Sequence, residues 1–535
     1  MKRNLNAIGN QLFDLIIIGG GIIGAGVARD AALRGLSVLL LEKEDFACGT
    51  TSSSTRLIHG GLRYLRMLDF KLVKQDLNER EILLKIAPHL VRRLEFVIPL
   101  LKSALFYRLS LPPGLWLYNR FSHGASLPHS YHLSAKETVT LEPSLENTDG
   151  LVGAYLYYDA QVAYAERLCI ENLTDAAARG AIIVNHAPVT GLVSKDNIVS
   201  GVRVKDELYG EEFQARGHIV LNATGPWTDT ILYKFEAGRG YIIRKTKGVH
   251  LLTDKISNNA LVLFAKSDGR LFFIIPWLEH SLIGTTDTDY TADIDKVYAD
   301  KSDVDYLVSE LGHYFPDFKR KNIHFTYASL RPLVPKNNKS ASDNSRAHRL
   351  VDHEQQDGIR GLLSILGGKN TAYRGIAEEA VNLITKKLGK NEACITAHTL
   401  LPGAPGVIPE EQEKTAQASG LPITTVTHLA SIYGSRMEKV LKYVNEDKRL
   451  GNPISGGGWD ILAQIKHAVR EEEALSVNDF MMRRSLIGLR PDQGLDAVDT
   501  VAREMAALLG WNSTEIQKQI ATFHTAMALG QLYKQ

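Results

Sequence analysis

The sequence predicts an α/β protein built on a Rossmann-like domain, with an inserted α+β substrate domain and a C-terminal helical domain. Three observations predict it. Residues 15–42 read LIIIGGGIIGAGVARDAALRGLSVLLLE: an apolar run, a glycine turn, a helical stretch and a second apolar run. Strand-like segments recur at 151–158, 181–193, 218–221, 271–276 and 281–285. Beyond the Pro/Gly-rich LPGAPGVIP that starts at Leu401, helical periodicity takes over, at 459–473, 477–485, 495–509 and 514–529.

Residues 15–18 suit a buried parallel strand. Gly19, Gly21 and Gly24 then fill the pattern G-x-G-x-x-G. Gly19 permits the tight turn, Gly21 lets the backbone approach a pyrophosphate, and Gly24 lets the helix pack on the strand. The helix over 25–34 offers its first N–H groups to phosphate and closes at Gly35. A second strand over 37–41 ends in Glu42, which is placed to accept both ribose hydroxyls. This register predicts a bound dinucleotide, and by itself it does not separate FAD from NAD.

Composition narrows the function. Hydrophobic residues are 44% and charged residues 23% of the 535, which excludes a disordered, collagen-like or coiled-coil chain. A net charge of +2 argues against nucleic-acid binding led by bulk charge. Cys48, Cys169 and Cys394 form no C-x-x-C, which argues against a disulfide scaffold or a Cys-rich metal site and suits a reducing compartment. No segment reads as a membrane span or a cleavable leader.

After Glu42 an NAD domain would continue with another helix and strand. Here GTTSSSTRLIHGGLRYL occupies 49–65. The hydroxyls of Thr50, Thr51, Ser52 and Ser54 suit phosphate or flavin edges, although the segment alone reads first as a solvated loop; Gly60 and Gly61 would let backbone pass a flat ring. Further on stand NATGPW at 222–227, LIGTTDTD at 282–289, SLRPL at 329–333 and GGKNTAYR at 367–374. With FDLIIIGGGIIGAGVARDAALRG and LIHGGLRYL, these strings closely resemble the FAD-dependent (aerobic, respiratory) sn-glycerol-3-phosphate dehydrogenases, within the D-amino-acid oxidase/glycine oxidase-like flavoproteins. The resemblance runs in order from about residue 12 to 390 and continues weakly through DFMMRRS at 479–485.

The resemblance implies FAD as cofactor and oxidation of sn-glycerol 3-phosphate to dihydroxyacetone phosphate, with electrons passed to a membrane quinone. A glycerol-3-phosphate oxidase using O₂ and a non-redox flavin-binding module are the alternatives. Gly19, Gly21, Gly24 and Glu42 fall on the FAD pyrophosphate and ribose positions, and Thr50, Ser52, Ser54 and His59 along the flavin. Gly225, Trp227, Gly368 and Lys369 fall beside the cofactor. Arg63 and Tyr64 match the active-site pair, His250 the K-G-S-H histidine, and Arg331, Arg346 and Lys369 the substrate-anchoring cations; Arg349 competes with Arg346 for its place. Asn370 and Ala372, Ser53 and Val249 depart from the usual pattern.

A dianionic phosphate favours planar arginines joined by a lysine point charge, and Arg331, Arg346 and Lys369 come from separated segments, as a clamp requires. His250 is the expected acceptor of the C2 hydroxyl proton, against a plain core histidine, and Arg63 and Arg331 would stabilise the alkoxide. Residues 56–121 hold twelve Lys and Arg against five acids, and ALFYRLSLPPGLWLYNRF at 104–121 mixes aromatic with basic side chains. That composition suits peripheral contact with an anionic membrane from the cytoplasmic side. A buried helix pair is the equal alternative, the helical tail is a rival surface, and Pro112 with Pro113 argues against one spanning helix. A homodimer stays open.

The FAD-binding domain is expected over 12–80, 150–235 and 355–390, the substrate domain over 85–149 and 236–354, and the helical domain over 402–535. Residues 151–158, 161–179 and 181–193 read as a β-α-β addition to the FAD-domain sheet, and the polar loop 336–348, which holds Arg346, as a mobile lid.

Overall fold

The structure, a computed structural model, describes residues 1, 3, 5, 8–9, 11–122, 126–237, 243–334 and 348–534. Arg346, the expected lid up to residue 347, and the side chains of Arg63 and Arg66 lie outside the described part.

Leu12–Ile18 is an inner strand of an eight-stranded sheet. It runs parallel between Val38–Leu41 and Glu212–Asn222, with Ile182–Val184 beyond the first and Leu362–Leu366 beyond the second. A strand covered on both faces should be apolar throughout, and Leu15, Ile16 and Ile17 are fully buried. The helix Ile22–Leu33 covers one face together with Ala165–Ala178 and Tyr373–Lys387. The carboxyl ends of the parallel strands stand side by side, which is where such a sheet takes its ligand.

The second sheet has ten strands among the described residues and is mostly antiparallel. Arg244–Asp254 pairs with His280–Gly284 on one edge and with Ile323–Leu333 on the other. This second pairing sets Arg331 opposite Thr246 and Tyr327 opposite His250.

Two strands lie in a different sheet from the one the sequence suggests. Leu151–Val162 does not extend the first sheet; it pairs antiparallel with Val91–Leu101 in the second. The helix Ala165–Ala178 and the strand Ile182–Val184 do join the first sheet's layer, so the local β-α-β pattern is present but its first strand belongs next door. Conversely Arg349–Asp352, expected in the substrate domain, pairs with Leu362–Leu366 in the first sheet. Strand periodicity marks which residues are buried; it carries no label for the sheet that receives them. Pro112 and Pro113 lie inside one continuous helix, Leu105–Phe121, where Leu109 and Pro113 are exposed. No helix among the described residues is long and apolar enough to cross a membrane.

The C-terminal part is helical, including Ile423–Tyr433, Leu462–Glu472, Val498–Leu509 and Ser513–Leu529. The expected helix over 477–485 is a single turn, Val477–Asp479, that widens into the π-helix Phe480–Arg484. The wider turn lets consecutive Arg483 and Arg484 both reach buried Asp45, at 2.5 and 2.9 Å. Arg167 on Ala165–Ala178 pairs with buried Glu472 in the same way, fastening the helical part to the first sheet's layer.

Candidate functional site

A cavity of about 570 Å³ opens at the carboxyl ends of Leu12–Ile18 and Val38–Leu41. Its floor is the glycine turn. A Cβ on Gly24 would stand 2.0 Å from the Gly19 carbonyl oxygen, so only glycine lets the helix sit this close to the strand. A Cβ on Gly21 would meet only Thr51 Oγ1, at 3.5 Å, and otherwise point into the cavity. The N–H of Ile22 donates to Thr51 Oγ1 at 3.1 Å, capping the helix whose N-terminus faces the cavity. The sequence reading noticed the Thr51 hydroxyl but not this use of it.

Glu42 sits at the end of Val38–Leu41 and lines the cavity. It accepts the Gly20 N–H at 2.6 Å and the Glu44 N–H at 3.0 Å, and burial pushes its carboxyl above the usual range. Each oxygen keeps a lone pair for a ribose hydroxyl. Nearby, Asp295 accepts from Trp227 Nε1 at 2.8 Å and pairs with Lys43, which lies over the Trp227 ring. That latch has no local signature in the sequence. A Gly21 cradle, a phosphate-facing helix N-terminus and a ribose-directed carboxylate together fit a dinucleotide.

The other predicted cofactor residues divide. Trp227, Gly225, Thr50, Gly368 and Lys369 line the cavity. Thr50 hydrogen-bonds the Leu330 carbonyl at 2.8 Å, tying the hydroxyl loop to the second sheet. Ser54 accepts from Asn370 Nδ2 at 3.1 Å, which gives the departure at Asn370 a structural use. Ser52 turns its hydroxyl back to the Cys48 and Gly49 carbonyls and does not line the cavity, and neither does His59, whose N–H donates to Thr371 Oγ1. The Gly60 N–H donates to Tyr118 Oη at 3.0 Å, and Tyr118 donates to buried Asp159 at 2.7 Å.

On the substrate side, the structure brings Arg331 and His250 onto neighbouring strands. The Arg331 guanidinium crosses over Gly248, where any Cβ would collide with it, to reach Asp287 Oδ1 at 3.0 Å, Thr285 Oγ1 at 2.5 Å and the Thr286 carbonyl at 3.0 Å. These partners lie in LIGTTDTD, a string the sequence reading singled out without giving its residues a role. His250 is 2% exposed, stacked on Tyr327 and within 3.0 Å of Thr55 Oγ1 through Nε2. Burial, helped by the charges of Arg331 and Arg56, lowers its pKa to about 3, so it is neutral at working pH. His250 Nδ1 is buried with no hydrogen-bond partner among the described residues. An unmade N–H bond costs more than an open lone pair, which favours Nε2–H donating to Thr55 and Nδ1 bare. Lys369 pairs with buried Asp76 and lies 4.8 Å over the ring of buried Tyr64. Tyr64 and Arg63 share the short helix Leu62–Arg66. No group of three or more His, Cys, Asp and Glu side chains placed to hold a metal occurs among the described residues.

Residues 14–374 match the family described as FAD dependent oxidoreductase, and residues 394–516 match the C-terminal domain of alpha-glycerophosphate oxidase. A glycerol-3-phosphate dehydrogenase of Synechocystis sp. is 38% identical, over 98% of both chains. The chain belongs to the FAD-dependent glycerol-3-phosphate dehydrogenase family. An aerobic glycerol-3-phosphate dehydrogenase of Staphylococcus haemolyticus is 34% identical, over 96% of this chain and 94% of that one. The glycerol-3-phosphate dehydrogenase of Bacillus halodurans complexed with FAD superposes with a TM-score of 0.80 at 28% identity, covering 98% of this chain and 96% of that one. The family's cofactor is FAD, and the Gly21 cradle and Glu42 are the residues that fit it.

Proposed function

We propose that the protein oxidises sn-glycerol 3-phosphate to dihydroxyacetone phosphate and passes the electrons to a membrane quinone, working from the cytoplasmic face of the membrane. The observation that carries this reading is that Lys369 lines the same cavity that the glycine turn and Glu42 form. Bound FAD supplies, at N5, the acceptor for the C2 hydride. His250 is assigned the C2 hydroxyl proton by its motif, and Thr55 fixes the ring through Nε2. Arg331, held in place by Asp287 and Thr285, stabilises the alkoxide as the proton leaves. Lys369 and Tyr64 bind the phosphate end, with Arg63 and Arg346 assigned to the same anion by their motifs.

The membrane part rests on the helix Leu105–Phe121. It turns Leu105, Phe106, Leu109 and Trp116 outward, each more than half exposed, with Arg108 and Arg120 beside them. On the same helix Tyr118 is buried, and Phe121 packs edge-on against Phe70 at 6.0 Å. Apolar side chains flanked by arginines match an anionic lipid surface.

An anaerobic titration with sn-glycerol 3-phosphate is expected to bleach the flavin, and glycerol is expected to leave it oxidised. No bleaching would exclude the activity and leave a non-redox flavin-binding module. Reoxidation by a quinone without peroxide supports the dehydrogenase; stoichiometric peroxide would make the protein an oxidase.

A further inference from the structure

Asp76 lies on the helix Phe70–Ile86 and is fully buried, yet its only charge partner among the described residues is Lys369. Beyond Lys369, neither carboxylate oxygen has a hydrogen-bond partner among the described residues. The other acids around it are already engaged. Glu79, on the same helix, is held by Arg374 at 2.6 and 2.8 Å. Asp159, on Leu151–Val162, is held by Arg80 and Tyr118, each at 2.7 Å. Among the described residues, the charges facing Asp76 are thus one cation, Lys369, and two carboxylates that other residues neutralise. Lys369 lines the cavity, but its ammonium is turned back onto Asp76 and buried there.

We propose that Asp76 competes with the anionic substrate for the Lys369 ammonium, so that substrate binding splits a buried ion pair and a proton from solvent passes to the Asp76 carboxylate. The inference rests on the reading of Lys369 as an anion-binding residue. Its physical basis is that a fully buried carboxylate is costly unless paired. While Lys369 leans back, the pair is neutral and the cavity wall offers an incoming dianion little net charge. When phosphate draws the ammonium forward, the carboxylate left behind loses the counter-charge of Lys369 and takes up a proton. Burial already raises the Asp76 pKa to about 6 with Lys369 in place, and losing the cation raises it further, so the uptake falls within the neutral range.

The test is calorimetric titration of the FAD-loaded enzyme with sulfate, a dianion that exchanges no proton near neutrality, at pH 7 in two buffers of different ionisation enthalpy. Wild type is expected to take up protons as sulfate binds. Asp76→Asn is expected to take up none and, at pH 8, to bind sulfate roughly threefold or more tightly than wild type. Asp76→Glu, which keeps the charge, is expected to restore the uptake. Equal proton uptake in wild type and Asp76→Asn overturns the proposal, and so does no uptake in wild type, a result that stands even where Asp76→Asn fails to fold. Lys369→Gln separates the two layers of the argument. Sulfate binding that survives in that variant overturns the reading of Lys369. Binding lost there, with Asp76→Asn behaving as wild type, overturns the role of Asp76 alone.

Discussion

The two halves of the site are built from different materials. The cofactor half is backbone: a glycine turn, a helix N-terminus and N–H groups that aim the Glu42 carboxylate. The half proposed to take substrate is side chains, and its cations are held by acids of the same chain: Arg331 by Asp287 and Lys369 by Asp76. Backbone donors are fixed when the fold forms and cost nothing more to position on binding. Paired cations keep a buried site near neutrality, and each must be shared or released when an anion arrives.

The largest effect that sharpens this contrast is at the glycines. Gly24→Ala puts a methyl 2.0 Å from the Gly19 carbonyl, so soluble protein with flavin absorbance is not expected. Gly21→Val has room within the protein and is expected to fold with an ordinary far-ultraviolet circular dichroism spectrum while losing flavin absorbance. Flavin retained by Gly21→Val would break the assignment of that cradle.

Next comes His250, the proposed proton acceptor. His250→Asn is expected to keep its flavin and lose roughly 10²–10⁴ in kcat, measured in steady state per mole of FAD. The sign of its pKa shift adds a second check. Lowered to about 3, His250 stays neutral down to that pH, so the kcat/KM profile should show no acid limb from this residue between about pH 5 and 8. An acid limb in that window that vanishes in His250→Asn would contradict the burial effect.

Arg331→Ala is expected to lose at least roughly tenfold in kcat/KM for sn-glycerol 3-phosphate, with the flavin spectrum unchanged. Equal turnover of glycerol and sn-glycerol 3-phosphate by wild type would remove the case for a charged clamp. The smallest catalytic effect is expected on the outer helix. Phe106→Glu/Trp116→Glu should turn over substrate normally with a water-soluble acceptor, yet float less with anionic liposomes at low salt. Unchanged flotation would move the contact to another surface.

The backbone-built half was legible in the sequence because its signal is local. Gly19 to Gly24, the helix and Glu42 follow one another within one β-α-β unit, and the structure keeps that register. The charge partners were not legible. Asp76 is an ordinary acid on an amphipathic helix until the chain brings Lys369 back to it, and Asp295 finds Lys43 and Trp227 only through folding. The strand Leu151–Val162 misled for the same reason, since its partner Val91–Leu101 is set by tertiary pairing. The π-helix at Phe480–Arg484 adds a third kind of silence: its widened turn answers to Asp45, more than four hundred residues upstream.

The hydroxyl of Tyr118 gives the outer helix a fixed bearing. Tyr118 stands two residues from Trp116 and so on nearly the opposite side of the helix, inside the protein while Trp116 is outside. Its oxygen is engaged by the Gly60 N–H and by Asp159 together. The helix cannot roll about its axis without withdrawing that oxygen from the turn that leads into Tyr64. The stripe of Leu105, Phe106, Leu109 and Trp116 is therefore keyed to the cavity as a compass needle is to its card: whatever plane the stripe rests on, the mouth of the cavity meets that plane at one set angle.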